Sequence, residues 1–215
     1  MVKYNAKIML SNKYFLCIVF FIVIPFAMEF KNEKLAIAIF ELYVSIIGII
    51  CFTDILLIEN NLKIEEVAYL TKSNGLKKIL IRIILNIIFI GIFPIITYGI
   101  VNLKLFINGN SLNISYVKVF IIFLPTTIFL GLLSMTLANL FRNSIIGYIT
   151  GLIYWAYWLV NQKNHFILNI FSYTVNIENY MKSKILFLFL SVILIIINFY
   201  LVKRSPFKKV IKINI

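Results

Sequence analysis

The chain has 215 residues, of which 62% are hydrophobic and 13% charged, and its mean hydropathy is +0.99. Water-soluble domains carry roughly 45–50% apolar and 25% charged residues, so this composition excludes a soluble enzyme or binding domain and indicates a protein embedded in a bilayer. The formal net charge of +13 is spread over the ends of apolar runs, which favours contact with anionic lipid headgroups over nucleic-acid binding.

Six apolar runs approach the roughly 20 residues that a helix needs to cross the hydrocarbon core. They predict an all-α membrane protein, a single transmembrane domain over residues 1–215. The six spans are expected at residues 14–28, 35–58, 79–103, 117–140, 144–160 and 183–202. The first run follows three lysines, as in a secretory signal peptide, but no small-x-small cleavage site follows Pro25. We expect this run to be retained as the first span, and a processed chain of five spans is the alternative.

Charge predicts the orientation, because basic residues near short loops stay on the cytoplasmic side. With the N-terminus inside, 14 basic residues fall on the inner side and seven on the outer side. The seven on the outer side are Lys31, Lys34, Lys104, Lys118, Lys163, Lys182 and Lys184. Both termini are therefore predicted to be cytoplasmic, in a multi-pass protein of the cell membrane. Heavy use of Ile, Asn and Lys indicates an AT-rich bacterial genome and hence a bacterial cytoplasmic membrane.

Two acidic residues, Glu41 and Asp54, fall within the second predicted span and are its candidate intramembrane polar residues. On one continuous helix they would lie about 140° apart, so they are not an acid and a base on one face. Because a carboxylate in hydrocarbon is costly, we expect Glu41 to face the bundle interior or another subunit. A structural polar contact is favoured for it over a direct transport role. Asp54 is expected near the inner headgroups.

Residues 58–82 form a charged island, IENNLKIEEVAYLTKSNGLKKILIR, between the second and third spans. The pair Asn74 and Gly75 is a turn signal just before the basic approach to the third span. The pattern predicts a short amphipathic helix over residues 62–72, then a turn, then a re-entering span. The apolar points available for docking are Ile58, Leu62, Val67, Tyr69 and Leu70. The alternative is a solvated loop with ordinary surface charge.

The sequence offers no catalytic, cofactor-binding or metal-binding motif. His165 is the single histidine, and the chain has neither a GxSxG nucleophile elbow nor a GxxxxGK[ST] phosphate loop. Cys17 and Cys51 lack CxxC spacing and are interpreted as small apolar packing residues. The chain is therefore not expected to be an enzyme or to hold its own cofactor.

Aromatic residues cluster at the predicted outer end of the fifth span. The cluster consists of Tyr154, Trp155, Tyr157 and Trp158. Amphipathic rings prefer the headgroup layer, so an interfacial anchor is favoured over a substrate-binding cage.

The island resembles the segment after the second span in permease subunits of type-2 ABC exporters. The matching features are an acidic residue, Glu59; a short helix carrying Glu65 and Glu66; Leu70; a small polar turn at 71–75; and a basic entry at 77–82. Residues 131–155, GLLSMTLANLFRNSIIGYITGLIYW, similarly resemble the family's fourth span, short inner loop and fifth span.

The resemblance implies a permease whose work is driven by a separate cytoplasmic ABC ATPase. That partner would bind ATP and Mg, and its motion would enter the bundle through a coupling helix. The residues implicated in coupling are Glu59, Leu62, Glu65, Glu66, Tyr69 and Leu70. Such permeases work as dimers with a second copy or a related chain, and Gly147 and Gly151 form a small-xxx-small pair that suits helix packing, either internal or between copies.

The apolar spans and short outer loops favour export of a hydrophobic or amphipathic substrate, such as an antimicrobial peptide, a drug or a lipid. Two other classes remain open. One is an ATP-independent channel or scramblase, which would work without an ATPase. The other is a membrane assembly subunit that transports nothing itself.

Overall fold

The computed structural model describes residues 12–28, 30, 33–57, 75–107, 115–163, 165–175 and 180–203, which form helices, turns and irregular links without any strand. The helices are α1 Asn12–Ala27, α2 Glu33–Phe52, α3 Gly75–Ile107, α4 Tyr116–Phe141, α5 Ser144–Val160, α6 Ser172–Val175 and α7 Tyr180–Lys203. The prediction of an all-helical protein is confirmed.

Four of the described helices are long and apolar enough to cross a membrane. These segments are Leu35–Phe52, Ile79–Ile107, Tyr116–Phe141 and Tyr180–Val202. The apolar helices α1 and α5 are shorter, with 16 and 17 residues. At about 1.5 Å per residue they rise about 24–26 Å, slightly less than the roughly 30 Å hydrocarbon core.

The second helix ends earlier than the sequence predicts. The span was expected to reach residue 58, whereas α2 ends at Phe52 and the chain turns through 53–57. The amide of Ile55 donates to the carbonyl of Phe52, a tighter turn than the α-helix. The carbonyl of Cys51, which would accept from Ile55 in a continued helix, instead lies near donors from α1. Asp54 is therefore in a turn, and the predicted angle around a shared helix does not apply to it.

Helix α4 forms the centre of the bundle and packs against α2, α5 and α7. Its crossing with α2 depends on two glycines. A Cβ placed on Gly131 would lie 2.8 Å from the carbonyl oxygen of Gly48, and one placed on Gly48 would overlap the backbone of Thr127. The two backbones therefore touch, which is the packing that small residues permit in a bilayer.

Helix α1 carries Pro25, which has no N–H to give to the carbonyl of Phe21 one turn earlier. The hydroxyl of Thr97 on α3 lies 3.1 Å from that oxygen and 3.0 Å from the carbonyl of Phe93 in its own helix. Near the end of α1, the ammonium of Lys104 donates to the carbonyl of Pro25 at 3.0 Å. Donors from α3 thus serve backbone groups that α1 cannot satisfy alone, as a helix in lipid requires.

The helices run alternately between two ends, named here by their acidic residues. At the Glu41 end, α1, α3 and α5 finish and α2, α4 and α7 begin. At the opposite Asp54 end, α4 and α5 are joined by a turn at Arg142 and Asn143. Arg142 adopts the left-handed conformation with φ 53°, and the Asn143 side chain caps α5 by accepting from the amide of Ile145 at 2.9 Å.

Candidate functional site

A buried ion pair joins α2 to α7 at the Glu41 end. The ammonium of Lys184 lies 2.5 Å from Oε1 of Glu41, and the two side chains are 2% and 0% exposed. Lys184 also donates to the carbonyl of Ile170 at 3.3 Å, and the amide of Tyr173 donates to Glu41 Oε1 at 3.5 Å. The pair therefore connects α2 to α7, to the link that precedes α6 and to α6 itself.

The link between α5 and α6 is folded so that it brings these backbone groups to the pair. The side chain of Asn169 accepts from the amide of Phe171 at 2.9 Å and donates to the carbonyl of Gln162 at 3.1 Å. The hydroxyl of Tyr154 on α5 donates to the carbonyl of Leu168 at 3.2 Å. These contacts fold residues 165–171 over the end of α5.

The neighbouring turn of α2 is also held by polar contacts. The hydroxyl of Ser45 donates back to the carbonyl of Glu41 at 2.6 Å, and the indole N–H of Trp155 on α5 donates to the carbonyl of Leu42 at 3.2 Å. Helix α5 thereby supports the face of α2 next to the acidic residue.

Burial makes this ion pair energetically demanding. Removing each charge from water costs several kcal/mol, and mutual attraction repays this only with good geometry and additional hydrogen bonds. Oε2 of Glu41 has no hydrogen-bond donor within the described part of the chain. Ionisable groups inside a membrane bundle mark functional positions by default, so this pair is the first candidate site.

Of the two residues in this pair, the sequence identified only Glu41 as a candidate polar residue within the membrane. Glu41 was expected to face a bundle interior or another subunit, and it lies inside this chain's own bundle. Lys184 was expected only as one of the basic residues of the outer side, and its contact with Glu41 was not anticipated: its side chain turns into the bundle. Helical spacing was the missed signal, since Lys184 shares one face of α7 with the buried residues Phe187, Ser191 and Asn198.

A second polar site, which we call the polar clamp, lies at the Asp54 end. It consists of Lys13, Tyr14, Asp54, Arg82 and Asn86. Lys13 forms an ion pair with Asp54. The hydroxyl of Tyr14 donates to Asn86 Oδ1 at 2.7 Å, and Arg82 donates to the carbonyl of Ile55 at 3.0 Å. The clamp fastens the start of α1 and the first turns of α3 to the turn that follows α2.

The position of the clamp relates it to the charged island. The 53–57 turn leads into residue 58, and α3 begins at Gly75, so both ends of the intervening segment attach to clamped elements. The predicted coupling helix over 62–72 lies outside the described residues. So do the predicted coupling residues Glu59, Leu62, Glu65, Glu66, Tyr69 and Leu70.

Gly147 and Gly151 lie on the face of α5 that packs within the chain. A Cβ on Gly147 would lie 2.6 Å from the carbonyl oxygen of Ser134, and one on Gly151 would overlap the hydroxyl of the same serine. This face is occupied by α4 and α2, so a second copy would have to contact another face of α5.

The aromatic cluster of α5 is mostly packed inward. Trp158 is buried and stacks on Phe166 with ring centroids 6.2 Å apart, while Trp155 and Tyr154 make the backbone contacts described above. Tyr157 is the exposed member, at 53%. The interfacial-anchor interpretation therefore fits one ring, and the other three brace the link over the buried pair.

The remaining polar candidates do not converge on a reactive site in the described ranges. His165 is exposed, and the Sγ atoms of Cys17 and Cys51 lie 3.9 Å apart as free thiols. Across the described residues no three His, Cys, Asp or Glu side chains are grouped closely enough to hold a metal ion.

Comparisons of this chain with known protein families, with curated proteins and with solved structures found no match. The features of this chain that indicate function are therefore the two polar sites and the sequence between α2 and α3.

Proposed function

We propose that this chain is the permease subunit of an ATP-driven exporter of the type-2 ABC class. It crosses the cytoplasmic membrane six times with both termini inside, and the Asp54 end faces the cytoplasm. A separate cytoplasmic ATPase binds ATP and Mg and acts on residues 58–74. The cargo is hydrophobic or amphipathic, such as an antimicrobial peptide, a drug or a lipid.

The polar clamp is the observation that carries this proposal. A segment pushed from the cytoplasm can move a helical bundle only if its two attachments are stiff. Here Arg82 ties α3 to the carbonyl of Ile55 beyond α2, and Lys13 ties α1 to Asp54 in the same turn. Displacement of the 58–74 segment would therefore be shared by three helices. The charged residues of that segment suit docking on a protein surface in water.

The surface chemistry of the bundle supports an apolar or amphipathic cargo. Large apolar side chains are exposed along α1, α3 and α7, including Phe15, Ile88 and Ile196. A cargo that partitions into lipid could approach along such faces without losing its own apolar environment. We further propose that the permease works as a dimer, through faces other than the glycine face of α5, which is filled internally.

Co-purification from native membranes tests the proposal. A tagged chain extracted in mild detergent should bring down a soluble ATP-binding subunit. Leu70→Asp should abolish the association by placing a charge on the predicted docking helix. The matched control is Lys163→Gln, which makes the same change in net charge at an exposed position near the Glu41 end and should retain the partner.

The opposite result is equally decisive. A stably inserted chain that brings down no nucleotide-binding protein would contradict the ABC proposal and favour an ATP-independent channel or scramblase. Equal loss of the partner in both variants would show that charge alone, rather than the island, governs the association.

A further inference from the structure

We propose that Glu41 and Lys184 form an electrostatic latch that holds the Glu41 end of the bundle closed. In the closed state the pair ties α7 and residues 170–173 to α2. In the open state the two charges separate and become hydrated, and the link over them lifts. The latch lies at this end of the molecule alone and does not depend on a partner ATPase.

The ion pair is covered by residues 165–175. His165, Phe166 and Ile167 are exposed, whereas residues 169–173 immediately after them are buried against the bundle. The cover is a series of turns followed by the four-residue helix α6. Apart from the contacts of Asn169, this link has little regular hydrogen bonding, so its position also depends on the side chains against which it packs.

The rest of the bundle is held by contacts that do not involve this ion pair. Helices α2 and α4 meet backbone to backbone at Gly48 and Gly131, which leaves no space to slide. At the Asp54 end α7 is held to α4 by the amide of Asn198, which donates to the hydroxyl of Thr136 at 2.7 Å. Lys184 is near the other end of α7, so release of the pair would loosen that end first, while the Asn198 contact holds the far end.

The energetics of a buried ion pair suit an element that switches between a closed state and an open state. Closed, the charges satisfy each other in a medium of low polarity; open, water satisfies both. A packed apolar contact lacks this alternative, because exposing it to water is simply unfavourable. Glu41 Oε2, which has no donor within the described residues, would gain hydration on opening.

Thiol accessibility in lipid nanodiscs tests the latch. The reporter at the Glu41 end is Ser172→Cys, a nearly isosteric change at a buried position beside Tyr173, in a Cys17→Ser, Cys51→Ser background. The control reporter is native Cys51, buried at the Asp54 end, in a Cys17→Ser background. A water-soluble maleimide measures how often water reaches each position.

Glu41→Gln leaves the Lys184 ammonium without its anion and should drive the latch open. We expect labelling at position 172 to accelerate by about tenfold or more, while labelling of Cys51 stays within about twofold. Glu41→Asp, which keeps the charge but shortens the side chain, should give a smaller increase at position 172. The double variant Glu41→Leu, Lys184→Met leaves no buried charge and should return the rate close to that of the parent.

Three outcomes would overturn the latch. If Glu41→Gln leaves position 172 as protected as before, the pair does not control closure. If Cys51 becomes reactive in parallel, the pair holds the whole fold rather than one end. If the double variant is as reactive as Glu41→Gln, packing at these positions and not charge keeps the end closed.

Discussion

Glu41 and Lys184 are 143 positions apart in the sequence, and their charged atoms lie 2.5 Å apart in the interior of the bundle. Two backbone groups also contact the pair. The amide of Tyr173 donates to the Glu41 carboxylate, and the carbonyl of Ile170 accepts from the Lys184 ammonium. The site is thus polarised: these backbone groups favour an acid on α2 and a base on α7.

The first prediction is that the pair shows strong coupling in a double-mutant cycle. Glu41→Leu alone should destabilise the protein by about 3–5 kcal/mol, because it leaves a buried ammonium uncompensated. Adding Lys184→Met should recover most of that loss, since an apolar pair of similar size is often as stable as an ion pair. Thermal unfolding in detergent, followed by fluorescence of the two tryptophans, measures each variant.

The polarity of the site supplies the control for that cycle. The reversed pair Glu41→Lys, Lys184→Glu should be less stable than the apolar pair, because the Tyr173 amide would face an ammonium and the Ile170 carbonyl a carboxylate. Full recovery by the reversed pair would show that the backbone groups contribute nothing to the site.

The sequence predicted the apolar helices well and the polar sites only in part. Apolar runs identify helices because a helix satisfies nearly all of its backbone polar groups within its own segment, as lipid requires. The end of α2 at Phe52 was missed because it depends on Lys13, Tyr14 and Arg82, which come from other helices. Lys184 was missed for a related reason: whether a lysine near a helix end extends to water or turns inward is decided by its packing partners, and Glu41 is on a distant helix.

The second prediction concerns the close approach of α5 to α4. Gly147→Ala should destabilise the protein by about 1–3 kcal/mol, because the added methyl group would overlap the backbone of Ser134. Gly99→Ala is the matched control: it is the same change in a helix, where the nearest atom to the new Cβ is 3.9 Å away. The unfolding temperature should fall only for the first variant. Equal shifts in both would mean that helix propensity, and not the contact with α4, explains the effect.

The third prediction tests whether Thr97 compensates for Pro25. Thr97→Val should destabilise the protein by about 0.6 kcal/mol, the average for hydrogen bonds between membrane helices, and by no more than about 1.7 kcal/mol. The cost should shrink in a Pro25→Ala background, because alanine restores an N–H that can bond to the carbonyl of Phe21. Unfolding temperatures of the four proteins in this cycle give the coupling energy. Strictly additive effects would show that the hydroxyl serves only its own helix, through Phe93.

The last prediction follows from the polar clamp and depends on the proposed partnership with an ATPase. Asp54→Asn removes a partly exposed ion pair with Lys13 and should cost at most about 1 kcal/mol of stability, yet it loosens the attachment of the 58–74 segment. In the complex with the co-purified ATPase we expect basal ATP hydrolysis to persist and its stimulation by cargo to fall.

Glu65→Ala with Glu66→Ala, which alters the predicted docking helix itself, should give the same uncoupled behaviour. The exchange Lys13→Asp, Asp54→Lys should restore part of the stimulation, because the clamp needs one charge of each sign at this point. Undiminished stimulation in Asp54→Asn would show that motion of the segment reaches the bundle by a route other than the clamp.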